Sequence, residues 1–198
     1  MNDSNALPHG GLIRKMWAVE ARLYRDHLMR LDTASRRNRF GSAVSDAFLS
    51  GYADIALGAG SVIHGFYVNG TMHGAAELRP VGSPAACEAE AAFSIETPWQ
   101  SHGVGSALLA RTLLAARNRG IKFLHMACLA DNKRMQQLAA KFDAELSFDF
   151  GSVVGAVSTP RPTAISVMRE IVADSHGFAT AMLDVQSRLL RPGHAASG

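Results

Sequence analysis

Cysteine is scarce in this chain of 198 residues, which contains only Cys87 and Cys128. Neither lies in a C-x-x-C pair, no H-E-x-x-H motif occurs, and the eight histidines lack the spacing of metal ligands. The sequence therefore predicts no metal site and no disulfide framework. Both cysteines fall in apolar, strand-like segments, and we expect two buried, reduced thiols in a cytoplasmic protein.

Long hydrophobic runs are also missing. No segment approaches the ~18 consecutive apolar residues that a membrane span needs. The first residues, MNDSNALPHGG, are polar and lack the apolar core of a signal peptide. We therefore expect a soluble protein of the cytoplasm, without a membrane partner.

A strong charge of one sign is absent as well. The formal net charge of +3 suits an anionic ligand but falls well short of what a dedicated nucleic-acid-binding domain carries. Arg36, Arg37 and Arg39 form a short basic cluster, which lacks the interleaved aromatic residues of single-strand binders. We expect a solvated or structurally paired patch and no nucleic-acid partner.

The composition is that of an ordinary globular protein, with 47% hydrophobic and 19% charged residues, and the length suits one domain with a terminal extension. Apolar periodicity predicts helices over residues 19–31 and 46–57, the second capped by Ser45. The dipeptide Asn69-Gly70, between two strand-like runs, predicts a type I′ hairpin. The last helix is predicted to run through Leu190, with an interruption at Gly177.

The predicted order of elements is strand, two helices, three strands, helix, strand, helix, two strands and helix. The central strand-helix-strand unit implies a parallel crossover, while the hairpins make the other strand pairs antiparallel. The predicted fold class is therefore α/β, with a central mixed sheet flanked by helices rather than a uniformly doubly wound one.

The motif QSHGVG, residues 100–105, leads from a strand into an amphipathic helix that opens with Gly103 and Gly105. Bare backbone lets an anion approach the unpaired amides of a first helical turn, where the helix dipole adds positive charge. A pyrophosphate is the natural partner, and a tight turn without a ligand is the alternative. Two nucleotide loops are excluded: no Gly-Lys-Ser/Thr ending is present, and Leu108 stands where a dinucleotide loop needs Gly or Ala.

With its flanking segments, this motif resembles the GNAT superfamily of acyl-CoA-dependent N-acetyltransferases. The strand EAEAAFSIETPW precedes it, and the strand KFLHMACLADN and the helix NKRMQQLAAKF follow. Within the superfamily, AEAAFSIETPWQSHGVG and SRRNRF are similar to the catalytic domains of bacterial protein-lysine acetyltransferases. The resemblance implies a GNAT domain over residues 12–157, a flexible tail over 1–11 and a helical extension over 158–198. That extension completes the fold, covers the cleft or forms a homodimer contact, and its pattern does not decide among these roles.

The resemblance also implies acetyl-CoA as the cofactor and a primary amine, on a protein lysine or a small molecule, as the acceptor. In the family the glycine loop cradles the CoA pyrophosphate, the preceding strand pairs with the pantetheine arm, and the asparagine of the next helix contacts the cofactor. The implied cofactor-binding positions are Phe93, Ser94, Ile95, Gln100, Ser101, His102, Gly103, Val104, Gly105, Ser106, Asn132 and Met135. Without the family, Asn132 is simply a helix cap.

Acetyl transfer needs a group that takes a proton, because an amine with a pKa near 10.4 is protonated in all but about 0.04% of molecules at pH 7. The strand before the loop places Cys87, Ala89, Ala91, Phe93 and Ile95 on one face and Glu88, Glu90, Ala92, Ser94 and Glu96 on the other. A face with three glutamates is expected to meet solvent or to line a cleft. The resemblance assigns the base to Glu90, leaves Glu88 and Glu96 solvated or at strand ends, and makes Glu77 a weaker candidate.

Two positions depart from the family pattern. Ala139 stands where many members carry a tyrosine that protonates the departing CoA thiolate, although the protein-lysine branch often lacks this tyrosine too. Asp143-Ala144 replaces the usual Gly-Phe after the helix. The missing tyrosine keeps a second function open, that of a non-catalytic acyl-CoA-binding sensor, whereas the strand glutamate favours the enzyme.

Overall fold

The computed structural model describes residues 7–58, 60–149 and 151–189, which form seven strands and six α-helices. The strands are β1 Leu12–Lys15, β2 Val62–Val68, β3 Thr71–Val81, β4 Glu88–Ile95, β5 Phe123–Leu129, β6 Glu145–Asp149 and β7 Ser152–Ser158. The helices are α1 Ala21–Arg30, α2 Thr33–Phe40, α3 Asp46–Ile55, α4 Val104–Asn118, α5 Lys133–Lys141 and α6 Ala164–Leu189.

The strands form one sheet in the order β1-β2-β3-β4-β5-β7-β6. All neighbours are antiparallel except β4 and β5, which are joined through α4 and run parallel. This arrangement confirms the predicted mixed α/β sheet with a single central crossover.

Short local signals determine two of the boundaries. Asn69 and Gly70 have φ angles of +49° and +74°, so the turn between β2 and β3 is the predicted type I′ hairpin. The side chain of Ser45 accepts a hydrogen bond from the amide of Phe48 and caps α3 as expected. Both predictions rested on residue chemistry rather than on periodicity, and both are confirmed.

Helix α2 is missing from the sequence prediction, which has two helices before β2 where the structure has three. Its sequence, TASRRNRF, carries no apolar stripe, so periodicity does not detect it. The end signals are nevertheless present: Asp32 accepts a hydrogen bond from the Ser35 amide, and Gly41 closes the helix with a φ of +76°. The predicted helix over 19–31 also begins later, at Ala21, after a 3₁₀ turn.

Helix α6 continues without a break through Gly177, so the predicted interruption is wrong. A Cβ atom at this position would lie 2.9 Å from the Cβ of Arg14, so the glycine lets α6 lie directly against β1. The predicted end at Leu190, residues 1–6 of the N-terminal tail and residues 190–198 lie outside the described residues. Although α6 has 26 residues, none of the helices in the described ranges combines the length and hydropathy needed to cross a membrane.

The two faces of the sheet carry different helices. Helices α1 and α3 pack on one face around Leu28, Leu49 and Ile63. Helices α4 and α5 pack on the other, where Leu109 and Ala139 belong to one buried cluster. Helix α6 packs against α4 and β1, and among those of its side chains that the structure describes none lines the cavity that opens between β4 and β5.

A buried histidine in β2 predicts acid sensitivity. His64 is 1% exposed, and burial, reinforced by Arg111 and Arg119, lowers its pKa to about 3. In the unfolded chain its pKa is about 6.5, so below that pH the unfolded state binds a proton that the folded state does not. We expect His64 to remove about 1.4 kcal/mol from the free energy of unfolding between pH 7.5 and pH 5.5.

Urea unfolding at these two pH values tests this expectation. The His64→Leu variant should lose about 1.4 kcal/mol less than the parent protein, because it carries no group that titrates at this position. His176→Leu, at an exposed position of α6, is the matched control and should keep the parental difference. Equal pH dependence in the parent and in His64→Leu would show that His64 does not titrate in this way.

Candidate active site

The sheet splits between its two parallel strands. Only residues 88–90 of β4 pair with residues 123–125 of β5. Beyond them, β4 continues to Ile95 beside β3, and β5 continues to Leu129 beside β7. The two strands therefore diverge, and a cavity of about 340 Å³ opens among the end of β4, helix α2, the start of α4 and helix α5.

The glycine motif forms the turn at one end of this cavity. Ser101 and Gly103 have φ angles of +62° and +81°, in the left-handed region. Gly103 is the N-cap of α4 and supplies no side chain to the orphan amides of the first turn. The amides of residues 103–106 therefore start a helix beside the cavity without an intrahelical partner, which is the arrangement that binds anionic oxygens.

The second glycine of the motif leaves room in the cavity and is not needed for the turn. Gly105 lies within α4, and a Cβ atom there would lie 3.4 Å from Leu138 and 3.5 Å from Ile95. Both of these side chains line the cavity. A larger residue at position 105 would therefore project between its two walls.

Gln100 holds the surrounding elements together. Its Nε2 donates to the carbonyl of Ile95 at 2.8 Å and to Ser35 Oγ at 3.3 Å. Its Oε1 accepts a hydrogen bond from Arg134. The glutamine of the motif thus joins the end of β4 to α2 and α5, so that its amide group orients the walls of the cavity.

Most of the predicted cofactor-binding positions meet at this cavity. Those on its wall are Phe93, Ser94, Ile95, Gln100, Ser101, Gly103, Gly105, Ser106, Asn132 and Met135. His102 and Val104 do not line it: His102 is exposed, and the side chain of Val104 is buried in the core beneath α4. Asn132 also caps α5, since its side chain accepts a hydrogen bond from the Met135 amide at 3.2 Å.

The sequence prediction missed two groups of cavity residues. Ser35 and Asn38 come from α2, the helix that periodicity did not detect. The other group lies on α5, where Arg134, Leu138 and Lys141 share one face at spacings of four and three residues. Arg134 and Lys141 place two positive charges on one face of an amphipathic helix, and this pattern could have predicted that α5 forms a wall of the cavity.

Glu90 lies at the point where the strands separate. It is the last residue of β4 that pairs with β5, opposite Arg79 on β3 and His125 on β5. Its side chain is half-buried, it has no hydrogen-bond or ion-pair partner within the described part of the chain, and it does not line the cavity. Ser94 shares its strand face about 13 Å further along β4.

Helices α1 and α2 cover the far end of the glutamate-bearing face of β4, at Ser94 and Glu96, whereas Glu88 and Glu90 at its start stay partly exposed. Glu96, expected to be solvated or at a strand end, directly follows the last residue of β4. It is 8% exposed and accepts hydrogen bonds from His27, His73 and Arg30. Burial alone would raise the pKa of its carboxyl, but these hydrogen bonds outweigh burial and lower the pKa to about 2. Glu88 is more exposed and bonds to His125 at 3.1 Å.

The arginines of the basic cluster form ion pairs, which is one of the two outcomes expected for them. Arg36 bonds to Asp46, and Arg37 bonds to Asp131 beside the start of α5. Arg39 bonds to Glu77 of β3 at 2.8 Å, and Glu77 is 2% exposed. These three ion pairs hold α2 over the divergent strands.

The packing of Ala139 explains why α5 contributes no tyrosine side chain to the cavity. Ala139 is 3% exposed and faces β7, where a Cβ atom on Gly155 would lie only 3.3 Å away. The three tyrosines of the chain, Tyr24, Tyr52 and Tyr67, are all described, and none lines the cavity.

Family comparison agrees with this geometry. Residues 25–144 match the acetyltransferase (GNAT) family. The match spans more than half of the chain, and the chain belongs to this family. It is therefore an acetyltransferase of a family that uses acetyl-CoA, and the fold predicted from the motif is confirmed.

Solved structures share the fold at low sequence identity. The GNAT domain of S. lividans PAT has a TM-score of 0.63 and 22% identity over 74% of this chain and 89% of that one. An acetyltransferase of the GNAT family from Streptococcus pneumoniae has a TM-score of 0.60 and 15% identity, with coverages of 76% and 99%. The Salmonella typhimurium protein yncA, solved with its cofactor acetyl-CoA, has a TM-score of 0.57 and 16% identity, with coverages of 78% and 96%.

Proposed function

We propose that the cavity between β4 and β5 binds acetyl-CoA and that the protein transfers the acetyl group to a primary amine by direct attack. The observation that carries this proposal is the divergence of β4 from β5 directly beside the uncapped amides of residues 103–106. An extended acyl-thioester arm fits between separating strands, and a pyrophosphate fits the start of the helix.

The chemistry of the walls suits such a ligand. Phe93, Ile95 and Leu138 give the cavity apolar surface for a pantetheine arm, and Arg134 and Lys141 add positive charge beside the glycine loop. The absence of a side chain at Gly105 leaves the space between Leu138 and Ile95 open. Beyond Glu90 the backbone of β4 forms no ladder with β5, and its amides on that side can polarise the acetyl carbonyl.

In this scheme Glu90 takes the proton of the incoming ammonium group. The strand distance of about 13 Å to Ser94 at the cavity means that the proton reaches Glu90 through water rather than by direct contact. A lysine side chain of a protein is the acceptor that the AEAAFSIETPWQSHGVG segment favours, and a small-molecule amine is the alternative.

A thermal-shift experiment tests the cofactor assignment. Acetyl-CoA at about 100 times its Kd should stabilise the parent protein by ~2.7 kcal/mol, or roughly 5–10 °C in Tm, whereas NAD and ATP should not. Gly105→Val should keep the parental Tm without ligand but lose at least tenfold in acetyl-CoA affinity. Ala110→Val, on the exposed side of the same helix, is the matched control and should bind like the parent.

Stabilisation by NAD or ATP but by no acyl-CoA would overturn the assignment. Catalysis is tested separately, by release of the CoA thiol in the presence of a lysine peptide, spermidine or phenylethylamine. Tight acetyl-CoA binding without transfer to any amine in a broad panel would instead favour the acyl-CoA sensor.

A further inference from the structure

A serine, a histidine and a glutamate lie in hydrogen-bonded series at the cavity wall. Ser94 lines the cavity, and its Oγ lies 2.9 Å from Nε2 of His27. On the other side of the ring, Nδ1 of His27 lies 3.0 Å from Oε1 of Glu96. His27 is fully buried, so its imidazole can exchange a proton with the cavity only through the Ser94 hydroxyl.

The partners of Glu96 determine which way the protons of this series point. Its carboxylate is ionised and only accepts hydrogen bonds, so Nδ1 of His27 must carry the proton that it donates to Glu96. Burial lowers the pKa of His27, although the hydrogen bond to Glu96 opposes the shift, and the ring is neutral. Nε2 therefore presents a lone pair and accepts the hydrogen of the Ser94 hydroxyl.

The reaction proposed above leaves one proton without a route. Glu90 removes the proton of the free ammonium group, but after attack the nitrogen of the adduct carries a second proton to lose, and the departing sulfur needs one to gain. No tyrosine lines the cavity, and Ala139 faces β7. Hydroxyl groups on the cavity wall belong to Ser35, Ser94, Ser101 and Ser106, and within the described residues only Ser94 has an imidazole behind it.

We propose that Ser94, His27 and Glu96 form a proton relay that carries the second amine proton to the CoA sulfur. This inference rests on the proposed acetyl transfer. In the first step Ser94 Oγ takes a proton from the nitrogen of the adduct while its own proton moves to Nε2 of His27. The new C–N bond is thereby kept, and the imidazolium is stabilised by Glu96.

In the second step the C–S bond breaks and the relay runs in reverse. Nε2 of His27 returns the proton to Ser94 Oγ, and the Ser94 hydroxyl gives a proton to the sulfur. One C–N bond forms, one C–S bond breaks, one proton passes from nitrogen to sulfur, and all three residues end in their starting state. Ser94 is the catalytic residue of the relay, and His27 and Glu96 are positioning residues that act through it.

Substitution at position 94 tests the relay. Ser94→Ala should lower kcat about 10- to 100-fold, the range expected for loss of one general acid–base group, and should leave the Kd for acetyl-CoA within about twofold. Ser94→Thr keeps a hydroxyl and should stay within about threefold of the parental kcat. The double variant Ser94→Ala/His27→Gln should be no slower than Ser94→Ala, because His27 acts only through the serine.

The assay uses acetyl-CoA and the fastest of the three amines named above. If Ser94→Ala keeps the parental kcat, the relay is overturned but the proposed acetyl transfer is not. The same holds if Ser94→Ala loses as much acetyl-CoA affinity as it loses kcat. Intact-mass and peptide analysis after incubation with acetyl-CoA supplies a further arm: an acetyl group bound to Ser94 would show a nucleophile instead of a relay. A parent protein that binds acetyl-CoA but acetylates no amine overturns the proposed function and the relay together.

Discussion

Glu90→Gln is expected to lower the turnover of acetyl transfer at least tenfold while leaving acetyl-CoA binding nearly unchanged. Glutamine preserves the shape of the side chain but cannot take a proton from an ammonium group. Because Glu90 does not line the cavity, its replacement removes no contact with the bound acetyl donor. The loss should therefore appear in kcat and not in the thermal shift that acetyl-CoA produces.

The position of Glu90 makes this prediction specific. It is the last residue of β4 that pairs with β5, so it stands at the apex of the gap between the strands. Among the described residues its carboxylate has no hydrogen-bond partner, whereas Glu77 and Glu96 are each held by several donors. Of the acidic side chains on this side of the sheet, Glu90 keeps its lone pairs available to water.

Glu88→Gln is the matched control for this measurement. Glu88 shares the strand face of Glu90 but lies within the paired part of β4 and bonds to His125. Its replacement should change turnover less than twofold. Turnover of Glu90→Gln equal to that of the parent, at saturating acetyl-CoA and amine, would remove Glu90 from the role of base.

Sequence signals that depend on neighbouring residues were sufficient to predict much of the fold. The Asn69-Gly70 turn, the Ser45 cap and the uncapped glycine start of α4 each depend on residues within a few positions of one another, and a sequence displays such neighbours directly. The alternation in β4 likewise separated the apolar face that packs on α4 from the polar face. The family motif then gave the order in which these elements assemble.

The partners of the polar face could not be predicted in this way. His27 and Arg30 reach Glu96 from 69 and 66 positions away, and only the packing of α1 on the sheet brings them together. A glutamate in an alternating strand indicates solvent unless such partners are known, so the sequence could indicate that Glu96 lies at a strand end but not that it is buried. Helix α2 was missed for a related reason, since ion pairs to α3, to the turn before α5 and to β3, rather than an apolar stripe, attach it to the rest of the protein.

Glu77→Ala is expected to cause the largest loss of stability. Glu77 is 2% exposed and accepts hydrogen bonds from Arg39 at 2.8 Å and from Tyr52 at 2.6 Å. Without it the guanidinium of Arg39, whose side chain is 6% exposed, remains buried without its counter-charge. Breaking a buried pair in this way costs about 3–5 kcal/mol, or roughly 10 °C in Tm for a chain of this size.

Two variants separate this charge effect from simple loss of a side chain. Glu88→Ala removes a glutamate whose side chain is 41% exposed, and it should lower Tm by no more than roughly 2–4 °C, the shift that accompanies about 1 kcal/mol. Glu77→Ala/Arg39→Met removes both charges and should be more stable than Glu77→Ala alone, since no unpaired charge stays buried. Equal Tm values for Glu77→Ala and Glu88→Ala would contradict the argument.

The same pair should also affect the active site. Arg39 lies on α2, whose Ser35 and Asn38 form part of the cavity wall, and its bond to Glu77 ties that helix to β3. Below its own Tm, Glu77→Ala should therefore be stabilised less by acetyl-CoA than the parent, because part of the binding free energy is spent on ordering α2. The double variant Glu77→Ala/Arg39→Met also lacks this bond, so a ligand shift that stays reduced in it would trace the loss to the placement of α2, whereas a restored shift would trace it to the unpaired arginine.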